Sequence, residues 1–286
     1  MGSRDSRLAV VQSELVMAEL ARARPDATFE LVAMKTSGDR ILDKPLESVG
    51  GKGLFVKELD QALREGRVDM CVHSYKDLPV PTPDDLPVLA VTRREDPRDV
   101  LILPPGRTEP DFSLPLGTSS LRRRLQAALL FPRWECIPVR GNIHTRLAKL
   151  DRGEYGGLIL AAAGINRMGL ADRVSRIFSP EEILPASCQG FLAVQGRADG
   201  EFAWLAEAED RDARDASTAE RAFVSGLGAT CASPVAAFAE IDGEQLVLRG
   251  WYVDETGAVS RDWVSGARGD AAELGRDLAA KLKGRR

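Results

Sequence analysis

The chain has 286 residues, of which 44% are hydrophobic and 29% charged, and its formal net charge is −4. This length and composition predict a globular protein of two or three domains, and the mildly acidic charge argues against general nucleic-acid binding. No apolar stretch is long enough to cross a bilayer and no signal peptide precedes the first predicted helix. We therefore expect a cytoplasmic protein with no membrane partner.

The cysteines follow no metal-binding or disulfide pattern. They are Cys71, Cys136, Cys188 and Cys231. None belongs to a Cys-x-x-Cys pair and the chain has only two histidines, so we expect no metal site. Cys231 lies in a loop rich in Gly, Ala and Ser. Its surroundings alone favour an inert thiol, and a nucleophilic role stays open.

The first part of the chain alternates between helix and strand. Apolar residues at helical spacing predict a helix over residues 7–24, and residues 29–34 have the composition of a strand. Residues 36–53 are rich in Gly, Asp and Lys and lack the Walker pattern, which indicates a surface loop or lid rather than a phosphate loop. A second helix follows Phe55, and residues 68–72 form an apolar run of strand length.

That apolar run leads into the polar segment His73–Pro79. A strand that ends in such a turn delivers its last side chains to the edge of a sheet, where functional residues often lie. Lys76 beside Asp77 favours an ionised carboxylate, which can bind a cation or transfer a proton. From these residues alone, a solvated turn with an incidental ion pair is the preferred interpretation.

The middle of the chain predicts a second layer of strands and helices. Strands over 88–92 and 100–103 flank a charged connector, residues 93–98, which is a candidate hinge. Residues 117–120 begin a helix, since hydroxyl side chains cap helices and free N–H groups bind anions. A strand over 134–139, a helix that carries Thr145 and Arg146, and a strand over 157–162 follow. The alternation predicts α/β layering with binding residues at the strand ends.

The last third has a different character. Residues 184–190 are predicted to be a loop and are a candidate for a second passage between domains. A strand over 191–195 and a helix over 213–226 follow. Asp242-Gly243 between two apolar runs, residues 235–241 and 245–253, is a strong hairpin signal. A third strand over 259–264 and a helix over 270–283 complete a small α+β domain.

Arginines at predicted element edges are the strongest chemical signal. They are Arg4, Arg122, Arg123, Arg140, Arg146 and Arg167. Guanidinium groups bind carboxylates and phosphates through two hydrogen bonds, so several around one cleft suggest a substrate with several acidic groups. A solvated face with surface ion pairs is the better explanation for Arg22, Arg24, Arg211 and Arg214, and it is equally good for Arg124.

Taken in order, the motifs resemble those of the porphobilinogen deaminase (hydroxymethylbilane synthase) family. The matching stretches are Gly-Ser-Arg-Asp-Ser at 2–6, Gly-Gly-Lys-Gly-Leu-Phe-Val-Lys-Glu at 50–58, His-Ser-Tyr-Lys-Asp-Leu-Pro at 73–79, Arg-Glu-Asp-Pro-Arg-Asp at 94–99, Gly-Thr-Ser-Ser-Leu-Arg-Arg at 117–123, Arg-Gly-Asn at 140–142 with Thr-Arg-Leu at 145–147, and Thr-Ala-Glu-Arg at 218–221 with Cys231. Each stretch is weak alone, but seven in this order, spread over nearly the whole chain, are highly specific.

The resemblance implies the fold class α/β. Two α/β domains similar to type II periplasmic binding proteins would be joined by a double crossover, with a small α+β domain at the C-terminus. The implied boundaries are 1–92 plus 189–210, 93–188, and 211–286. Residues 38–57 would form the lid.

The resemblance also implies a transferase of heme biosynthesis. It would deaminate four porphobilinogen molecules, condense them head-to-tail onto a dipyrromethane primer, and release the linear tetrapyrrole hydroxymethylbilane by hydrolysis. The dipyrromethane cofactor would be joined to Cys231 by a thioether, and Asp77 would be the catalytic carboxylate. A monomer without nucleic-acid partners is expected.

The remaining implied site residues fall into two groups. Those expected to bind the cofactor are Ser74, Lys76, Thr118, Ser119, Ser120, Arg122, Arg123 and Arg146. Those expected to bind substrate are Arg4, Ser6, Lys52, Phe55, Arg140, Arg167 and Gln189.

The chemistry of the substrate gives these residue types a physical reason. Each porphobilinogen carries an acetate and a propionate, so fixed guanidinium groups would neutralise the charge of a growing oligopyrrole. Loss of ammonia leaves an azafulvene cation whose charge spreads to the pyrrole nitrogen. A carboxylate under that N–H would stabilise the cation and mediate proton transfer.

The chain departs from the family pattern at three places. It begins at Gly-Ser-Arg, where relatives have a preceding apolar strand, so we expect a strand of the first domain to be missing. Ala229-Thr230 replaces a usual Gly-Gly, and Cys188 stands where glycine is common. The competing hypothesis is a binding module, either a solute-binding protein or the effector domain of a regulator. Ammonia release from porphobilinogen would support the enzyme, and reversible binding without chemistry would support the module.

Overall fold

The computed structural model describes residues 1–36, 56–230 and 233–284. Among these residues, the strands are β1 (Gly2–Arg4), β2 (Val32–Met34), β3 (Met70–Ser74), β4 (Val88–Val91), β5 (Asp99–Ile102), β6 (Leu116–Gly117), β7 (Cys136–Ile137), β8 (Gly157–Ala161), β9 (Arg176–Ile177), β10 (Leu192–Gly196), β11 (Val235–Asp242), β12 (Gln245–Val253) and β13 (Val259–Ala267). The α-helices are α1 (Arg7–Ala23), α2 (Lys57–Arg64), α3 (Leu121–Leu130), α4 (Ile143–Asp151), α5 (Ala162–Arg167), α6 (Arg211–Leu227) and α7 (Ala271–Lys283).

The first sheet has the strand order β2-β1-β3-β10-β4. β1 runs parallel to both β2 and β3, whereas β10 is antiparallel to β3 and β4. Ser6 begins α1 as its N-cap, and Val16 and Leu20 of that helix are buried. The expectation of a missing strand was wrong, since Gly2–Arg4 itself forms β1 and pairs on both sides.

The second sheet has the order β7-β6-β8-β5-β9. β6 is parallel to β7 and β8, and β5 is antiparallel to β8 and β9. Ser120 caps α3 and Asn142 caps α4, each with a side-chain oxygen that accepts a backbone N–H. Because β6, β7 and β8 are parallel, the segments that follow them meet at one edge of the sheet.

The chain passes between the two sheets twice. Residues 92–98 lead from β4 to β5, and residues 178–191 return from β9 to β10. The predicted double crossover is therefore present. Gly190 belongs to the return segment, with φ of 100°, and a Cβ there would approach the carbonyl oxygen of Glu95 to 2.3 Å. The two crossing segments thus pack too closely for any side chain at residue 190.

The third sheet is an antiparallel meander, β11-β12-β13, which packs against α6 and α7. Gly243 makes the β11–β12 turn with φ of 59°, as the Asp-Gly signal predicts. One core cluster includes residues of α6, α7 and this sheet together with Tyr75, Leu78 and Phe191. The third unit therefore shares its core with the end of β3 and the start of β10.

Most predicted elements are present, with shifted ends. The predicted strand over 134–139 is reduced to β7. Trp134 instead packs into a core cluster of the second sheet, and its indole N–H donates to the Leu114 carbonyl at 2.8 Å. The third strand of the meander extends to Ala267. Within the described part of the chain, no helix combines the length and apolar character that a bilayer span requires.

Candidate active site

The predicted site residues gather where strands of the first two sheets end. β3 ends at Ser74, and a 3₁₀ turn over Tyr75–Asp77 follows. Tyr75 and Leu78 are buried on either side of this turn, and the Leu78 N–H donates to the Tyr75 carbonyl at 3.2 Å. Their burial anchors the turn, so Lys76 is half-buried and Asp77 is exposed at the sheet edge.

Ser74 is fixed by a side chain of α1. Gln12 donates through Nε2 to Ser74 Oγ at 2.9 Å, and Ser74 Oγ donates to Gln12 Oε1 at 3.0 Å. The Ser74 hydroxyl therefore binds within the protein and holds the start of the turn to the first helix.

The adjacent arginines of α3 converge on Asp99, which is fully buried. Arg122 Nη2 donates to Asp99 Oδ2 at 2.7 Å, and Arg123 donates to Oδ1 from Nη2 at 2.7 Å and from Nε at 3.0 Å. Burial would raise the pKa of Asp99, but the Arg122 and Arg123 guanidinium groups hold it well below its usual range. Arg122 also donates from Nη1 to the Leu184 carbonyl at 2.6 Å, so it is committed to contacts within the fold.

Gln189 links this cluster to the 3₁₀ turn Tyr75–Asp77. Its Nε2 donates to Asp99 Oδ1 at 2.9 Å and to the Pro97 carbonyl at 2.6 Å. Its Oε1 accepts from Lys76 Nζ at 3.2 Å and from Arg123 Nη2 at 3.3 Å. Burial and the charge of Arg123 lower the pKa of Lys76 to about 8, while Asp77 and Asp99 act in the opposite direction. Burial is thus the main cause of the lowered pKa of Lys76, and charged groups of both signs surround it.

The segment between β6 and α3 carries three hydroxyl residues. Thr118 is buried, and its Oγ1 accepts from the Ser120 N–H at 3.3 Å. Ser119 Oγ donates to the Val139 carbonyl at 2.6 Å and accepts from the Val139 N–H at 3.1 Å. Ser120 Oγ accepts from the Arg123 N–H at 3.4 Å. These hydroxyls fix the segment that presents Arg123.

The other cations come from further strand ends of the second sheet. Arg146 in α4 donates from Nε to the Gly141 carbonyl at 2.7 Å. Burial and the charges of Arg123 and Arg140 lower its pKa to about 10, against the opposing effect of Asp77. These couplings place Arg146 within the electrostatic reach of Arg123, Arg140 and the turn that carries Asp77.

Arg167 ends α5 and binds the return crossing. Its Nη2 donates to the Gly190 carbonyl at 2.6 Å, and burial lowers its pKa while Glu95 and Glu19 oppose the shift. Arg167 therefore lies beside both the crossing and the cluster around Gln189.

The remaining described residues lie at the end of β1. Arg4 is half-buried, and Ser6 Oγ accepts from the Ala9 N–H at 3.4 Å. His73 is buried, and its burial lowers its pKa to about 4, with the charge of Arg4 acting in the same direction and the Gln195 side chain opposing the shift. A neutral, buried imidazole is not suited to acid–base catalysis near neutral pH.

The sequence analysis assigned no role to two buried groups that fix the return crossing from the other side. The Glu220 carboxylate is fully buried and accepts from Arg94 Nη1 at 2.8 Å, from the Ala239 N–H at 2.8 Å and from the Cys188 N–H. Arg94 Nε donates to the Gln189 carbonyl at 2.9 Å. Arg94, Asp99 and Glu220 all lie within the matching motifs, so position in a motif was the only signal for them.

Three predicted residues lie outside the described parts of the chain: Lys52, Phe55 and Cys231, together with nearly all of the predicted lid. The flanks of Cys231 are described. Ala229 is buried after α6, and the Thr230 N–H donates to Ser233 Oγ at 3.0 Å.

Comparisons with known proteins agree with these observations. The family model "Porphobilinogen deaminase, dipyromethane cofactor binding domain" matches residues 1–203, and "Porphobilinogen deaminase, C-terminal domain" matches residues 215–284. A protein named porphobilinogen deaminase from Acetivibrio thermocellus is 50% identical over 282 residues, which are 99% of this chain and 97% of that protein. One of the same name from Alkaliphilus oremlandii is 50% identical over 284 residues, 99% of this chain and 96% of that protein.

Among solved structures, the periplasmic VFT2 domain of BvgS from Bordetella pertussis has a TM-score of 0.40 at 13% identity, covering 69% of this chain and 76% of that one. The aliphatic sulphonate binding protein SsuA from Escherichia coli has a TM-score of 0.39 at 14% identity, covering 80% of this chain and 74% of that one. Both scores indicate only a distant likeness.

Proposed function

This chain belongs to the porphobilinogen deaminase family and is an enzyme of tetrapyrrole biosynthesis that uses a dipyrromethane cofactor, and from that premise we propose which of its residues perform the reaction. The single observation that carries the proposal is the convergence of Lys76, Arg123 and Arg146 around the turn that bears Asp77.

Asp77 is proposed to be the catalytic carboxylate. It is exposed at the end of β3, and its charge acts on both Lys76 and Arg146. A carboxylate held in this setting can accept a hydrogen bond from a pyrrole N–H and stabilise the positive charge that develops when ammonia leaves the substrate. The same oxygens can take up and return a proton within hydrogen-bond distance.

The donor set fits a cofactor that carries several carboxylates. Lys76, Arg123 and Arg146 are cations that follow three separate strands. Burial lowers the pKa of Lys76 and of Arg146, and carboxylates bound among these cations would favour their charged forms. We assign cofactor binding to these residues and to Ser74, Thr118, Ser119, Ser120 and Arg122, of which the last and Ser119 act mainly by fixing the loop. When bound, the dipyrromethane supplies the nucleophilic pyrrole carbon to which substrate is added.

Substrate binding is assigned to cations around this centre. Arg4 and Ser6 follow β1, Arg140 follows β7, and Arg167 binds the crossing beside Gln189. Lys52, Phe55 and the lid they belong to stay predictions from the resemblance, as does the thioether at Cys231. On the described side of this position, Gly228 ends α6 in the left-handed conformation with φ of 68°.

The domain boundaries and the state of the enzyme are likewise proposals. We propose units of 1–92 plus 189–210, 93–188 and 211–286, supported by the distribution of strands among the three sheets. The enzyme is proposed to act as a cytoplasmic monomer.

Two measurements test the assignment of Asp77 and Cys231. Intact-mass spectrometry of the purified protein is expected to show a covalent dipyrrole, which Cys231→Ser removes and the control Cys136→Ser keeps. Asp77→Asn is expected to reduce turnover of porphobilinogen by about 100-fold or more, as loss of a catalytic acid–base group does, without changing the thermal midpoint. Normal turnover by this variant would exclude Asp77, and an unmodified Cys231 in active protein would exclude the thioether.

A further inference from the structure

Three side chains of the proposed site donate hydrogen bonds to the single carboxylate of Asp99. Arg122 binds one oxygen at 2.7 Å, and Arg123 and Gln189 bind the other at 2.7 Å and 2.9 Å. Asp99 is fully buried and lies at the start of β5, paired with Ala161 at the end of β8. The carboxylate thus sits beneath the strand ends on which the site is built, without facing solvent.

Gln189 transmits the position of this carboxylate to the catalytic turn. Because its Nε2 is directed at Asp99 and at the Pro97 carbonyl, its Oε1 points the other way. That oxygen accepts from Lys76 Nζ at 3.2 Å and from Arg123 Nη2 at 3.3 Å. The orientation of the amide therefore depends on a hydrogen-bond acceptor at residue 99, which an asparagine could replace with a donor.

Electrostatic interaction also connects Asp99 to Lys76. The charged groups that act on Lys76 are Arg122, Arg123, Asp77 and Asp99. Without Asp99, three cations would be balanced by Asp77 alone, and Asp77 would be held more tightly by its own neighbours. Asp99 consequently affects both where Lys76 points and how readily it keeps its proton.

We propose that Asp99 is a positioning residue for the reaction: it holds Arg123 and Gln189, and through them fixes the place and charge of Lys76 beside Asp77. This inference rests on the proposed function of Lys76 and Arg123 in binding carboxylates. A residue that only stabilised the fold would lower the active fraction equally at every pH and leave KM unchanged.

The test compares Asp99→Asn with Asp151→Asn, a control in the same unit that breaks the surface pair between Asp151 and Arg173. For Asp99→Asn, KM for porphobilinogen is expected to rise about tenfold, the cost of one charged hydrogen bond, with a smaller change in kcat. The alkaline limb of kcat/KM is expected to move down by about one pH unit, because an opposite charge that favoured protonated Lys76 is lost. The control should keep the KM and the limb of the unsubstituted enzyme.

A second variant covers the case in which Asp99→Asn does not fold. Asp99→Asn/Arg122→Gln removes one anion and one cation, so the net charge of the buried cluster is that of the unsubstituted enzyme. Its KM is expected to rise in the same direction, since the neutral amide of asparagine holds Arg123 and Gln189 less strongly than a carboxylate does. Its alkaline limb is expected to lie closer to that of the unsubstituted enzyme, because Arg122, which lowers the pKa of Lys76, is removed together with Asp99, which raises it. An unchanged KM in either folded variant, or an unchanged limb in Asp99→Asn, would overturn the inference. If the unsubstituted enzyme itself fails to consume porphobilinogen, the proposed function is at fault instead.

Discussion

Asp99 and Glu220 are both fully buried carboxylates, and they hold neighbouring residues of the same crossing segment. Asp99 binds the side chain of Gln189, and Glu220 binds the backbone N–H of Cys188. Asp99 has two arginine partners and a lowered pKa. Glu220 has one, and burial raises its pKa despite Arg94 and two backbone N–H groups. The number of compensating charges therefore decides which way a buried carboxylate shifts.

The difference matches the places of the two groups. The Asp99 cluster carries one more cation than anion and lies under the proposed site for carboxylate groups. The Glu220 cluster is balanced by Arg94 alone and joins the crossing to α6 and β11 of the third unit. The cluster with excess positive charge lies on the side of the proposed site, and the neutral Arg94–Glu220 pair connects the crossing segment to the third unit.

Among the variants that test this comparison, those that remove Arg94 are expected to lose the most stability. In Arg94→Met, the Glu220 carboxylate keeps only neutral donors, and Arg94 no longer packs over the Phe191 and Phe238 rings at 4.3 and 4.8 Å. Loss of one partner of a buried ion pair costs about 3–5 kcal/mol of the free energy of unfolding. Urea denaturation measures this loss.

The control for that experiment is Arg24→Met, which breaks the exposed pair with Asp26. It is expected to change the free energy of unfolding by about 0–1 kcal/mol, as surface pairs do. Equal losses in Arg94→Met and Arg24→Met would show that burial of Glu220 carries no energetic consequence.

Asp60 in α2 extends the comparison to a third buried carboxyl group. It is 8% exposed, and among the described residues its Oδ1 has no hydrogen-bond partner. Burial raises its pKa to about 6, with Arg64 acting against the shift through space and Asp85 adding to it. The pKa of Asp60 in the folded protein lies above the ordinary value of 3.8. The contribution of this carboxyl group to the free energy of unfolding is therefore fully present below pH 3.8 and is lost as the pH rises through about 6.

We therefore expect Asp60→Asn to be more stable than the unsubstituted protein at neutral pH, by about 1–2 kcal/mol once the unpaired amide is allowed for. Below pH 4 the difference should vanish or reverse. Urea denaturation at both ends of this range is the measurement, with Asp172→Asn as an exposed control. A gain that does not depend on pH would contradict the assignment of the ionised Asp60 as the unfavourable state.

The sequence predicted the parts of this arrangement that depend on local pattern. The hairpin at Asp242-Gly243, the capped helix start at residues 117–120 and the arginines at element edges follow from turn chemistry, capping and periodicity. The partners of Arg122 and Arg123 could not be predicted in that way. Asp99 is distant in the chain and directly follows a charged connector that resembles a solvated hinge, and the return of β10 beside β3 brings Gln189 to it. Family resemblance supplied the motif but not the contacts.

The smallest expected effect concerns Cys188, whose N–H binds Glu220 and whose φ is 59°. Its buried thiol makes only weak contacts, with the Ser217 carbonyl at 3.9 Å and Ser187 Oγ at 3.6 Å, and burial raises its pKa to about 12, so it is an inert group. Both Cys188→Gly and Cys188→Ala lose the sulfur, but only alanine keeps a Cβ in the left-handed region. Cys188→Gly is therefore expected to be the more stable of the two by about 1 kcal/mol, measured by urea denaturation. If Cys188→Ala is as stable as Cys188→Gly or more stable, the backbone at residue 188 is not strained. The hydrogen bond from its N–H to Glu220 alone then determines its conformation.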